Sequence, residues 1–179
     1  TYQCLADLIP PTTASTVSGT WQTNNFTANF SDVDDLGGSG VNQQFFQVLD
    51  YDGIEWRANI AHGFFNDNFQ SAIHPEWTSG TGTWTINTNQ LYQTDNAESN
   101  SNLYASLVQD NSHNYLYHWQ MNMDGSGTNR RAGLHFFCDN PSLPNRGNSY
   151  FVYFRVDSDK CQIYEVNSDV YTLMTDSPV

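Results

Sequence analysis

Arg130 to Val166, RRAGLHFFCDNPSLPNRGNSYFVYFRVDSDKCQIYEV, predicts three consecutive strands: Ala132–Cys138, Ser149–Val156 and Cys161–Val166. The first connection is rich in Pro, Asn and Gly, and the second is the tight turn Asp157-Ser158-Asp159-Lys160. Successive side chains of a strand point to opposite faces. One face therefore carries Leu134, Phe136, Val152, Phe154 and Ile163, and the other His135, Phe137, Tyr153, Arg155, Gln162 and Tyr164. The second face is either a wetted sheet surface or a place to hold a sugar.

Outward from this stretch, Tyr115–Met123 (YLYHWQMNM) is the clearest alternating run. Tyr115, Tyr117, Trp119, Met121 and Met123 fall on one face, with Leu116, His118, Gln120 and Asn122 on the other. Trp77–Ile86 and Gln90–Thr94 predict a hairpin turning at 87–89, and Leu103–Gln109 another strand. Upstream, Phe26–Phe30 alternates and leads into the acidic, Gly-rich loop Ser31–Gly40. Gln44–Tyr51 and Ile54–Ile60 flank Asp52-Gly53, a hairpin signal. Residues 1–20, with Pro10-Pro11 and a Thr/Ser run, read as a linker or edge segment, residues 21–66 as a small β module, and residues 67–179 as a larger one. No window carries a 3.6-residue apolar period, so the fold class is all-β, a sandwich.

The 179 residues suffice for a real core. Aromatics are 15% of residues, and the polar remainder is dominated by Asn, Ser, Thr, Gln and Asp, which suits sheets and turns. The net charge of −13, with Lys160 as the single lysine and five arginines, opposes nucleic acid and anionic membranes as partners. No apolar run is long enough for a transmembrane helix, so no membrane insertion is expected, and the N-terminus is not an intact signal peptide. The composition fits a secreted protein.

Cys4, Cys138 and Cys161 make an odd count. In a three-strand meander Cys138 and Cys161 lie at opposite ends of the sheet, roughly 20 Å apart, beyond the reach of a disulfide. Cys4 either bridges to one of them or all are free thiols.

The strings "DNF…W…GTWTI…LYQTD", "YLYHW", "RRAGLHFFCD" and "NRGNSYFVYFR…CQIYEV" resemble the concanavalin A-like (jelly-roll) lectin/glucanase sandwich. The likeness is to the version in golvesin-type or xanthan-lyase-like secreted proteins of type IX-secreting bacteria. "GTWQTNNFTANFSDVDD…FFQVLDYDGIEWRAN…GFFNDNF" is similar to the immunoglobulin-like piece that precedes it. Together the two cover nearly the whole chain. The resemblance implies a secreted or cell-surface accessory module that binds polysaccharide or cell-surface glycan. It also implies further strands after the segment matching Cys161–Met174. The chain is thus expected to be a fragment, or a subunit completed by strand pairing with a neighbouring chain or a second copy.

Catalytic signatures are sparse. The glucanases of this fold carry a Glu-x-Asp-x-x-Glu run to place two carboxyl groups across the scissile bond. Glu55, Glu76, Glu98 and Glu165 form no such run, no G-x-S-x-G elbow exists, and His113, His118 and His135 lack an evident Ser or Cys partner. A non-catalytic module is expected, with an accessory part of a polysaccharide-degrading hydrolase as an alternative. The carbohydrate-binding candidates are His118, Gln120, His135, Tyr153, Arg155 and Tyr164, because rings stack on pyranose faces and Arg, Gln and His hydrogen-bond hydroxyls. Asp32, Asp34 and Asp35 are the carboxylates calcium would take, although the same residues suit a solvated turn. Arg130, Arg131 and Arg146 are expected to pair with neighbouring aspartates, or to meet an anionic sugar. Asn25 and Asn29 begin N-glycosylation triplets, and Trp21, Trp56, Trp77, Trp84 and Trp119 read as packing residues.

Overall fold

The structure, a computed structural model, describes residues 9–17, 26–70, 72–95, 97–125 and 127–179. It is all-β: among the described residues there are ten strands, one short 3₁₀ turn at Ile60–His62 and no α-helix. The chain divides into two compact units, Thr1–Phe46 and Gln47–Val179.

In the first unit β1 (Thr12–Val17) pairs antiparallel with β2 (Ala28–Val33), so part of the segment expected as a linker or an edge is a strand. Thr13 Oγ1 donates to Asp32 Oδ1 at 2.6 Å across this pair. Phe30 stacks on Phe46 with ring centroids 5.9 Å apart.

The expected boundary at 66/67 is displaced to 46/47, because residues 47–66 are tied into the second unit. Arg57, only 6% exposed, bonds Glu76 through Nε and Nη2 and Glu55 through Nη1. Val108 N donates to Ile60 O at 3.0 Å, and the ring of Phe65 meets Trp77 edge-on at 4.8 Å. The Asp52-Gly53 turn forms, with Asp52 Oδ1 accepting from the backbone of Ile54 and Glu55. The hairpin expected around it reduces to the single bridge Tyr51↔Trp56, and a second bridge, Asn59↔Phe64, closes the Ile60–His62 turn. Arg57 draws this segment toward Glu76, and its side chains meet ion pairs instead of a neighbouring strand.

The expected Trp77–Ile86 strand breaks at Gly82, whose φ of +82° lies outside the strand region. It yields β3 (Trp77–Thr81), paired with β6 (Asn102–Ala105), and β4 (Trp84–Asn87), paired with β5 (Gln90–Gln93). Thr88 and Asn89, both at positive φ, make the tight β4–β5 turn. Tyr115–Met123 is extended but joins no ladder. Its alternation is satisfied by side chains: Tyr117 packs on Phe136 at 5.3 Å and Tyr115 on Phe137 at 5.7 Å, while Leu116 and His118 face solvent.

The largest sheet runs β10-β9-β8-β7, with β7 Arg131–Phe136, β8 Ser149–Arg155, β9 Lys160–Asn167 and β10 Val170–Pro178. The three expected strands are present with no end shifted by more than two residues, and β10 adds a fourth. Ser168 and Asp169, at φ 51° and 64°, form the β9–β10 turn. Asp169 Oδ1 there accepts from Asn145 N and Gly147 N, which pins the 138–148 loop.

Leu134, Phe136, Val152, Phe154 and Ile163 are only half-buried. The deepest burial lies on the opposite face, in Phe151 at 9% exposure, Gln162 at 7% and Val166 at 2%. The reason is lateral packing, because large rings on neighbouring strands cover one another and what lies between them. Gly133 is central to this: a Cβ there would stand 2.7 Å from the Phe151 ring and 2.0 Å from Val152 O. The missing side chain leaves room for the ring. Gly133→Ala is expected to destabilise the protein by about 1–3 kcal/mol through overpacking. A urea unfolding midpoint equal to wild type would refute this close approach.

Candidate functional site

The register stacks the second face into rows. Arg131, Arg155 and Lys160 are directly opposite one another, followed by Gly133, Tyr153, Gln162 and Asp176, then by His135, Phe151, Tyr164 and Leu173, then by Ser149, Val166 and Tyr171. His135 lies flat on Phe151, centroids 3.9 Å apart at 11°. Phe151 also meets Tyr153 at 4.6 Å and Tyr171 at 5.8 Å, and Tyr164 meets Tyr171 edge-on at 5.4 Å. Phe151 is the sealed floor, and the more open rings are Tyr153, Tyr164 and Tyr171.

Of the six expected carbohydrate-binding residues, four share this face: His135, Tyr153, Arg155 and Tyr164. His118 and Gln120 do not join them. They sit on the solvent side of the 115–123 segment, whose other side packs toward Phe136, on the opposite face of β7. Phe137, also assigned to the ring face, follows the end of β7 at φ 52° and turns toward Tyr115. Sequence reasoning missed Phe151 and Tyr171. Phe151 follows from the same period-two count that selected Tyr153. Tyr171 required β10, whose start is marked only by the Asn167–Asp169 turn.

Arg155 holds Asp157 with two bonds, Nε to Oδ1 at 3.0 Å and Nη2 to Oδ2 at 2.7 Å. Arg131 Nη2 reaches the same Oδ2 at 2.7 Å. Hydrogen bonding from Arg155, then from Arg131, brings the Asp157 carboxyl down to about 2. Lys160 pairs with Asp176. Arg131 thus meets the expected aspartate, while Arg130 and Arg146 do not. Arg130 donates to Gly127 O and Met123 O, and the 8%-exposed Arg146 donates to Leu143 O and Asn100 O. Backbone carbonyls exposed by the loops take the place of carboxylates.

Burial first, and the nearby Arg146 charge second, lower the His135 imidazole from 6.5 to about 4. Its Nδ1 lies 3.1 Å from Ser149 Oγ. Burial is also the main cause that raises the Tyr171 phenol. Two histidines therefore have the serine partners that the sequence did not reveal. The second is His113, whose Nδ1 is 3.0 Å from Ser112 Oγ and 2.9 Å from Asp110 Oδ1. Serine and aspartate there meet the same nitrogen on an exposed turn. A proton relay needs them on opposite nitrogens.

The Asp32 and Asp34 carboxylates serve the strand pair and the loop, and Asp35 takes part through its backbone oxygen, which accepts from Gly38 N. Asp32 accepts from Thr13, and Asp34 accepts from the backbone of Asp35 and Gly40. No group of three or more metal-ligating side chains gathers among the described residues. Cys138 and Cys161 are both free, and Cys138 Sγ donates to Arg146 O at 3.1 Å. Burial raises the Cys138 thiol above its ordinary value, away from thiolate chemistry. Cys4, Trp21 and Asn25 lie outside the described residues.

Comparison of the chain with family models, with curated proteins and with solved structures finds no match.

Because the His135 pKa is depressed by folding, the unfolded chain binds more protons between pH 6.5 and about 4, and stability falls as pH drops through that window. Above 6.5 this residue contributes no slope. His135→Phe is expected to flatten the decline between pH 6.5 and 4 in urea-midpoint measurements. It should leave the fall below pH 4 that protonation of Asp157 produces. An unchanged slope between pH 6.5 and 4 would show that the ring is not held neutral.

Proposed function

We propose that the β7–β10 sheet is the glycan-contacting face of a secreted, non-catalytic carbohydrate-binding or adhesion module at a bacterial cell surface. The observation that carries the reading is the Tyr153, Tyr164 and Tyr171 array, three phenols on adjacent strands backed by Phe151 and His135. Such rings offer apolar faces and edges to the C–H surfaces of pyranoses, and their hydroxyls can meet sugar hydroxyls, that of Tyr164 as an acceptor because it donates to Gln162 Oε1. Phe151 and His135 beneath them reduce the mobility lost on binding. A concanavalin A-like sandwich with an immunoglobulin-like piece ahead of it is the architecture in which we place this sheet. The motif resemblance supports that assignment, and the same module could serve as the accessory part of a polysaccharide-degrading hydrolase.

Tyr153→Ala combined with Tyr171→Ala is expected to lower retention on the cognate polysaccharide at least about tenfold, since each stacked ring contributes on the order of 1 kcal/mol. The measurement is affinity electrophoresis or a glycan array, with circular dichroism to verify the fold. Retention equal to wild type would remove the proposal.

The outer strand supports a second reading, a structural subunit that pairs with a neighbour. All nine residues of β10 are exposed, Val170, Leu173 and Met174 among them. The register shift between Leu173 and Thr175, with Pro178 beyond it, interrupts the edge and leaves the segment before the shift as the pairing edge. In this reading the protein sediments as an assembly, and Thr172→Pro returns it to monomer. A monomer at all concentrations would dismiss it.

A further inference from the structure

The chain has six Lys and Arg residues against nineteen Asp and Glu. Three of those six, Arg131, Arg155 and Lys160, occupy a single cross-strand row at one end of the ring face. Like charges directly opposite one another on a sheet repel. Two carboxylates moderate the row: Asp157 is shared by Arg131 and Arg155, and Asp176 takes Lys160. Three cations therefore face two anions, and all five side chains reach solvent. Tyr153 is two residues from Arg155 on the same face of β8, so the cationic row adjoins the rings.

Resting on the carbohydrate reading above, we infer that the ligand is an acidic oligosaccharide: a uronic acid unit stacks at Tyr153 and directs its carboxylate into the Arg131–Arg155–Lys160 row. The forked guanidinium of Arg131, which spends one donor nitrogen on Asp157 and Asn129, is placed to add a carboxylate partner. The neighbouring row, roughly 7 Å further along the strands at two residues' rise, is uncharged across β7 to β9, with Gly133, Tyr153 and Gln162, and its β10 member is Asp176, the carboxylate that Lys160 holds. Such spacing suits a chain whose charges are separated by uncharged ring surface. It does not suit the closely spaced phosphates of a nucleic acid, which the overall charge of −13 also repels.

The test is calorimetric titration of the intact protein with tetramers of galacturonic, glucuronic and mannuronic acid, each beside its neutral hexose counterpart. At least one acid should bind about tenfold or more tighter than its neutral partner, and 0.5 M NaCl should erase the difference. Arg131→Gln with Lys160→Gln should abolish the preference while leaving the weak neutral binding in place. Arg131→Lys, which keeps the charge, should retain most of it. Equal affinity within every pair overturns the acid preference and leaves the sugar reading standing. Binding of no tetramer overturns both. Tighter binding of a single-stranded DNA of matched charge overturns the inference in favour of a polyphosphate.

Discussion

The register across β7 to β10 is the constraint on which the rest of the molecule depends, and it is held by a glycine. Gly133 lets the Phe151 ring lie over the neighbouring strand, and His135 then stacks on that ring. Tyr153 and Tyr171 close around the same ring from either side. A slip of one residue in any strand would send its rings to the aliphatic face and leave Gly133 beneath nothing. The rows that follow from this register place three cations side by side and three open phenols next to them.

Charge is arranged with similar economy. In so acidic a chain each cation is committed to a defined task. Arg57 draws Glu55 and Glu76 together and fastens residues 47–66 to the strand region that follows. Arg130 and Arg146 bind loop carbonyls, and Arg146 helps to keep His135 neutral. The Arg131–Arg155–Lys160 row alone is exposed, clustered and incompletely matched. A cluster of cations that share two carboxylates and reach solvent keeps donor capacity for an anion, which makes the row informative about ligand chemistry. The −13 of the whole chain speaks only against densely charged polyanions.

Much of the ring sheet was legible in one dimension. Period-two alternation located β7, β8 and β9 to within a few residues and assigned His135, Tyr153, Arg155 and Tyr164 to one face, because a strand's side-chain direction depends only on parity. The same rule overreached at Tyr115–Met123. There the alternation is real, but Tyr115 and Tyr117 satisfy it by packing on Phe137 and Phe136 without any ladder. His118 and Gln120 fell away with it. Asp52-Gly53 made its turn yet not its hairpin, since turn chemistry is local while pairing requires partners on both arms. Which face would be buried was not legible, because area is hidden most effectively where large rings meet across strands, and parity alone does not say which rings meet.

Local chemistry, carried by parity, turn residues and composition, therefore dictated an all-β chain, its tight turns and the partition of the last strands into two unlike faces. Facts that depend on distant residues meeting could not be read from it. Tyr171 joins the rings only because the Ser168-Asp169 turn folds β10 back on β9, and Asp157 serves two arginines that stand 24 positions apart only because β7 lies beside β8. Strand order and register create those meetings, and both belong to the folded whole, in which packing across strands selects among many locally acceptable pairings.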